Sequence, residues 1–190
     1  MKKIAFATLL AVSAFSANAA TELVTNGNFE TGTFAGWTKS GNASLSDVIS
    51  NTTTSNHTYL WRSGATGSSA YISQVLGTQA NYTYTLSFDI FNSAVSSTNA
   101  DAVSFSAAFN GNVVYGFKNE KRNWDHITIT GLKATGAATE LKFGARNDPS
   151  FIRLDNVSVQ VTAVPEPETY AMMLAGLGLM GLIARRRKAA

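Results

Sequence analysis

From about residue 20 to residue 163, apolar and polar side chains alternate with a period of two. Tyr82, Tyr84, Leu86, Phe88 and Ile90 are interleaved with Thr83, Thr85, Ser87 and Asp89. Val103, Phe105, Ala107 and Phe109 alternate with Ser104, Ser106 and Ala108, and Leu141, Phe143 and Ala145 continue the pattern. Ile127 and Ile129 sit between Thr128 and Thr130 in the same way. One apolar face per run is the mark of half-buried antiparallel strands. No stretch here has a helical period with caps at its ends. Asn110-Gly111-Asn112 and Gly131 supply turns between the runs. About eight to ten short strands in roughly 140 residues predict an all-β antiparallel sandwich or jelly roll. Nothing repeats internally and no linker divides this stretch, so residues 20–163 read as one domain.

One strand breaks its own alternation. In Phe151–Val161, Ile152 and Leu154 have one parity, whereas Val157, Val159 and Val161 have the other. A single extra residue must be absorbed between them, and the sequence predicts a β-bulge at Asp155-Asn156.

The two ends follow other rules. Lys2 and Lys3, an apolar run from Ile4 to Phe15 and the small-residue triplet Ala17-Asn18-Ala19 make a secretory signal at residues 1–19, with cleavage expected after Ala19. Residues 164–190 run from Val164-Pro165-Glu166-Pro167-Glu168 through an uncharged stretch, Tyr170 to Ala184, to Arg185-Arg186-Arg187-Lys188. As a helix, that stretch covers roughly 23–26 Å, slightly less than a ~30 Å hydrocarbon core, so the sequence predicts a single marginal transmembrane helix. The basic cluster stays on the cytoplasmic side, and the two prolines keep the approach extended. A marginal span suits a transient anchor in the inner membrane.

Charge looks different once the ends are set aside. The chain carries a net charge of +3, but six of its 15 Lys and Arg lie in the terminal segments. Residues 20–163 hold nine basic and ten acidic residues without a basic patch, which argues against nucleic acid as a partner. The chain has no cysteine, so disulfides, thiol nucleophiles and thiolate metal sites are excluded.

The tail resembles the PEP-CTERM sorting signal, in which a Pro-Glu-Pro motif, an apolar helix and a terminal arginine cluster follow in that order. The resemblance implies recognition by an exosortase, a membrane protease of Gram-negative bacteria that make exopolysaccharide. Pro165, Glu166, Pro167, Arg185, Arg186 and Arg187 would be the residues read during sorting and processing. The domain would then reach the cell surface or the extracellular matrix.

The opening stretch Leu23–Trp37, the strand containing Tyr84-Thr85-Leu86-Ser87-Phe88 and the closing Leu154-Asp155-Asn156-Val157-Ser158-Val159 resemble the galactose-binding-like jelly roll of many carbohydrate-binding modules. The resemblance implies a structural calcium ion held by Glu30 and Asp155, with a carbonyl near Asn28 as a further ligand. The alternative is that both carboxylates only hydrogen-bond backbone at the sandwich edge. Phe29 and Trp37 belong to the core on the same resemblance.

Candidate chemistry is sparse. His57 and His126 have no evident partners, and no nucleophile elbow, zinc-protease helix or phosphate loop occurs. The expected protein is non-catalytic, with a polysaccharide-acting enzyme as the weaker alternative. For sugar stacking the candidates are Trp61, Trp124 and Tyr59, with Tyr71 and Tyr115 behind them. A glycan-associated surface or exopolysaccharide-matrix protein is the leading expectation. A structural or adhesive protein that binds protein partners is its rival.

Overall fold

The computed structural model describes residues 21–51, 58–148, 150–162 and 173–180. Ten strands are defined among them: β1 (Thr38–Gly41), β2 (Ser46–Ser50), β3 (Tyr59–Ser63), β4 (Ala70–Gly77), β5 (Thr83–Asn92), β6 (Val103–Phe109), β7 (Asn112–Lys118), β8 (Arg122–Lys133), β9 (Ala138–Asn147) and β10 (Ile152–Val161). They form two five-stranded antiparallel sheets that pack as a sandwich, with strand orders β1-β4-β9-β6-β7 and β2-β3-β10-β5-β8. The first sheet is called the front sheet below and the second the back sheet.

The alternation read from the sequence sets the two faces. In β5, every second residue from Tyr84 to Asn92 is buried and the intervening ones are half-exposed. β6 repeats this, with Val103, Phe105, Ala107 and Phe109 inward. The inward faces meet in an aromatic core. Phe143 lies 5.4 Å edge-on to Phe88 and 6.0 Å from Phe105, and Trp37 is 6.1 Å from Phe143. Phe29 stacks on Trp37 at 5.7 Å, and both are buried, as the sequence placed them. With no disulfide available, these rings hold the sandwich together; each such pair contributes about 0.5–1.5 kcal/mol beyond its area burial.

The predicted bulge is present. β10 pairs with β5 in register up to Asp155 opposite Asp89, and the register shifts before Ser158 opposite Ser87. Asn156 takes a left-handed φ of 51° at that point, a conformation that asparagine tolerates better than most residues. The bulge receives the N-terminal segment. Val157 N–H donates to the Gly27 carbonyl at 2.9 Å, and Leu23 N–H to the Val159 carbonyl at 3.0 Å.

Residues 173–180 are helical and exposed. Among the described residues no helix is long and apolar enough to cross a membrane. The secretory signal, the Pro-Glu-Pro motif (Pro165, Glu166, Pro167) and Arg185, Arg186 and Arg187 lie outside the described residues, as do residues 170–172 and 181–184 of the expected membrane helix.

Candidate functional site

The aromatic candidates are not brought together. Trp61 has no exposed surface, and its indole N–H donates to Ser46 Oγ at 2.8 Å inside the core. A ring without accessible surface has no face for a sugar, so the expectation for Trp61 is corrected: it is a core residue. Tyr115 is partly buried and faces the core. Its ring packs edge-on against Phe88 at 5.5 Å, its hydroxyl is buried, and burial pushes its phenol pKa up. Tyr59 opens β3, partly buried against the core and beside Gly32. Trp124 lies in β8, half-exposed and tilted against Phe91 at 5.4 Å. Two strands, β10 and β5, separate β3 from β8 in the back sheet.

The outward face of the front sheet offers a more coherent surface. In β4 the core-facing residues are Ala70, Ile72 and Leu76, so Tyr71 and Ser73 point outward. Register then carries a row across the sheet: Ser40 opposite Tyr71, Tyr71 opposite Gly144, Gly144 opposite Ser106, and Ser106 opposite Gly116. The absence of a side chain at position 144 lets the Tyr71 ring lie down on the sheet. A Cβ built on Gly144 would be 2.7 Å from Tyr71 Cε1 and 2.9 Å from Ser106 Oγ. Beyond the ring, a shallow groove of about 430 Å³ is lined by Ser69, Ser104, Ser106, Gly144, Gly116 and Lys118 among others, with the 70 % exposed Val113 on its border.

Charged side chains stand around this face. Lys142 Nζ lies 4.8 Å from the Tyr71 ring centroid. Lys118 donates to Asp101 at 2.7 Å, and Arg146 makes a two-point contact with Asp148 at 3.0 and 2.6 Å. These contacts hold both aspartate carboxyls below their ordinary range, the hydrogen bond being the main cause in each case. Asp148 also accepts the Gly67 amide, so the loops at this end of the groove are tied together.

This surface was only partly visible in the sequence. Tyr71 was a secondary candidate there, whereas Lys142, Gly144 and Ser106 were missed. Their outward parity is legible in the alternation, but only the register sets them beside Tyr71.

For the calcium expectation, Glu30 Oε1 accepts the Tyr59 amide at 3.1 Å, and Asn28 Oδ1 accepts the Glu30 amide at 3.4 Å. Tyr59 starts β3, and the neighbouring β10 carries the buried Asp155 just past the Leu154–Trp61 pair. Asp155 Oδ1 accepts the Asn156 amide at 2.7 Å. The loop bearing Asn28 and Glu30 thus reaches the strands beside the bulge. Among the described residues no cluster of three or more His, Asp or Glu offers itself to a metal. Glu30 and Asp155 carry carboxylates and Asn28 an amide oxygen, on segments that neighbour one another at the bulge. An all-oxygen set of this kind suits calcium, which accepts carbonyls alongside few carboxylates.

His126 does have a partner. Its Nδ1 lies 2.6 Å from Asp89 Oδ1, and Asp89 Oδ2 accepts from Asn156 Nδ2 at 2.8 Å. The pairing fastens the bulge to β8. His57 lies outside the described residues.

Comparison with known proteins addresses the two parts of the chain separately. Residues 163–188 match the PEP-CTERM protein-sorting motif. The tail carries a sorting signal. No curated protein matches the sequence. In three dimensions the chain is similar to TmCBM61, solved in complex with β-1,4-galactotriose: TM-score 0.60, 18 % identity, covering 75 % of this chain and 99 % of that one. It is similar to the CBM22-1 xylan-binding domain of Paenibacillus barcinonensis Xyn10C, with TM-score 0.54 and 15 % identity, covering 79 % of this chain and all (100 %) of that one. It is also similar to the K3 cleaved adhesin domain of Lys-gingipain from Porphyromonas gingivalis, with TM-score 0.51 and 14 % identity over 74 % of this chain and 99 % of that one. These likenesses show the fold: a jelly roll of the kind used by carbohydrate-binding domains.

Proposed function

We propose that the protein is an exported, non-catalytic surface or exopolysaccharide-matrix protein that binds glycan across the outer face of its front sheet. Its tail would anchor it transiently in the inner membrane of a Gram-negative cell, where an exosortase would read the tail and process the protein for the surface. The observation that carries the binding reading is Tyr71 lying flat over Gly144 beside a groove rich in serine and glycine. A sugar ring presents C–H bonds on its faces and hydroxyls around its edge. A flat aromatic ring matches the faces, and serine hydroxyls and backbone groups match the edge. Two of the similar structures are a galactotriose complex and a xylan-binding domain, which supports this ligand class.

The test is a glycan screen with the intact protein, followed by Tyr71→Ala and Trp124→Ala. Loss of binding in Tyr71→Ala with little change in Trp124→Ala supports the front-sheet site. The reverse pattern moves the site to the back sheet. Absence of binding to every glycan, including the host polysaccharide, sinks the reading and favours the adhesive role suggested by the gingipain adhesin domain.

A structural calcium ion at Glu30, Asp155 and the backbone near Asn28 belongs to the same proposal. It would fasten the N-terminal loop to the bulge and take no part in any chemistry.

A further inference from the structure

The geometry points to a polysaccharide bearing carboxylate groups, a uronic-acid chain, as the ligand of the Tyr71 groove; this inference rests on the groove being the glycan site. The cations on the outer face of the front sheet, of which Lys118 lines the groove itself, are unequal in their engagement. Lys118 is paired with Asp101, and Arg146 is paired with Asp148. Lys142 has no acidic partner among the described residues: its ammonium rests over the Tyr71 ring instead. Glu140, the next outward residue on β9, is exposed and makes no ion pair with Lys142 among the described residues. The cation that is not neutralised is therefore the one standing at the stacking platform.

Position gives this charge a definite ligand. A hexuronate ring carries its carboxylate on C5, at the ring's edge and close to the ring's mean plane. When the sugar face lies on Tyr71, the ammonium must leave the ring face, and the edge of the stacked sugar is where its flexible stem can place it. A carboxylate there meets the ammonium with an opposite charge as well as a hydrogen bond, whereas a hydroxymethyl oxygen accepts the bond without the opposite charge. Ser106 and Ser73, the outward neighbours of Gly144 and Lys142 on the adjoining strands, are left for the sugar hydroxyls. The ammonium also gives association a dependence on salt that a neutral glycan would not show.

The experiment is titration calorimetry on the full chain in detergent. The probes are tetragalacturonate and tetramannuronate, each paired with its carboxyl-reduced neutral counterpart. The expected result is at least about tenfold tighter binding of one acidic oligomer over its neutral partner, equivalent to roughly 1.4 kcal/mol. Lys142→Gln is expected to abolish the preference, so that in this variant the acidic oligomer and its neutral counterpart bind with the same affinity. Equal affinity for acidic and neutral partners, or an acidic preference that survives Lys142→Gln, overturns the inference while the groove stays a glycan site. If neither form of either oligomer binds, the inference falls, and the groove reading beneath it is decided separately by the glycan screen with Tyr71→Ala.

Discussion

Gly144 and Tyr71 face each other across the β4–β9 ladder, and the glycine leaves the space that the ring occupies. The contact is close enough for a single methyl group to report on it. In Gly144→Ala the new Cβ would start 2.7 Å from Tyr71 Cε1, so the ring must lift from the sheet. Because the ring faces outward, it can do so at a stability cost of roughly 1 kcal/mol, towards the low end for overpacking. The platform is then lost. Affinity for any glycan bound by the unmodified protein is expected to fall about tenfold, with a melting temperature only slightly lowered. Unchanged affinity in a folded Gly144→Ala protein would show that the flat ring does not carry binding.

Trp61 and Ser46 make the opposite prediction. The indole is fully buried and its N–H is satisfied by Ser46 Oγ. Trp61→Ala is expected to cost about 3–5 kcal/mol through the cavity left in the core. Ser46→Ala, which orphans the buried N–H, is expected to cost about 1–3 kcal/mol. Glycan affinity at a temperature where the variants stay folded should not move. Denaturant unfolding combined with calorimetry checks both halves; a large affinity change in a stable Trp61 variant would contradict its place in the core.

The contrast between these two sites shows where a linear reading succeeds and where it stops. Strand parity was legible wherever one face was wet, as in β5 and β6. The bulge at Asp155-Asn156 was legible because a period of two cannot change phase without an extra residue. Trp61 was misread because β3 lies inside the back sheet between β2 and β10, with both Leu60 and Trp61 fully buried. Alternation loses its meaning in a strand buried on both faces. The front-sheet site was mostly hidden for another reason. Tyr71 and Gly144 lie far apart in the chain, and only strand pairing sets them opposite each other.

The attachment of the N-terminal loop to the bulge depends on Gly27. A Cβ there would lie 1.9 Å from the Val157 carbonyl oxygen, a backbone atom that cannot simply turn aside. Gly27→Ala is therefore expected to break the Val157 N–H to Gly27 carbonyl bond and to cost roughly 2–4 kcal/mol. Amide hydrogen exchange should localise the damage, with faster exchange at Leu23 and Val157 and little change in β6 or β9. Intact protection at Val157 would mean that the loop is not fastened in this way.

If calcium occupies the place proposed beside the bulge, it stabilises only the folded chain, since the loop and β10 meet only there. Free calcium at about 100 times its dissociation constant would add about 2.7 kcal/mol. A chelator is then expected to lower the melting temperature, and Asp155→Asn to remove the calcium-dependent part of the transition. A melting temperature unaffected by either chelator or added calcium would leave Glu30 and Asp155 to their contacts within the protein.

The loops at the end of the groove carry a pH dependence of definite sign. Asp148 accepts two bonds from Arg146 and one from the Gly67 amide, and its carboxyl is held below the ordinary value of 3.8. A carboxyl with a lowered folded-state pKa binds its proton more weakly when folded than when unfolded. Its contribution to stability is therefore present above the unfolded-state value and is lost as pH falls through the folded-state value. The advantage of the unmodified protein over Asp148→Asn is expected to be constant from neutral pH down to about pH 5 and to shrink below about pH 4. Because the pair is partly exposed, strong salt should reduce this difference at neutral pH. Chemical denaturation of the two proteins at several pH values checks the sign: a difference that grows on acidification would mean that Arg146 does not stabilise the ionised form of Asp148.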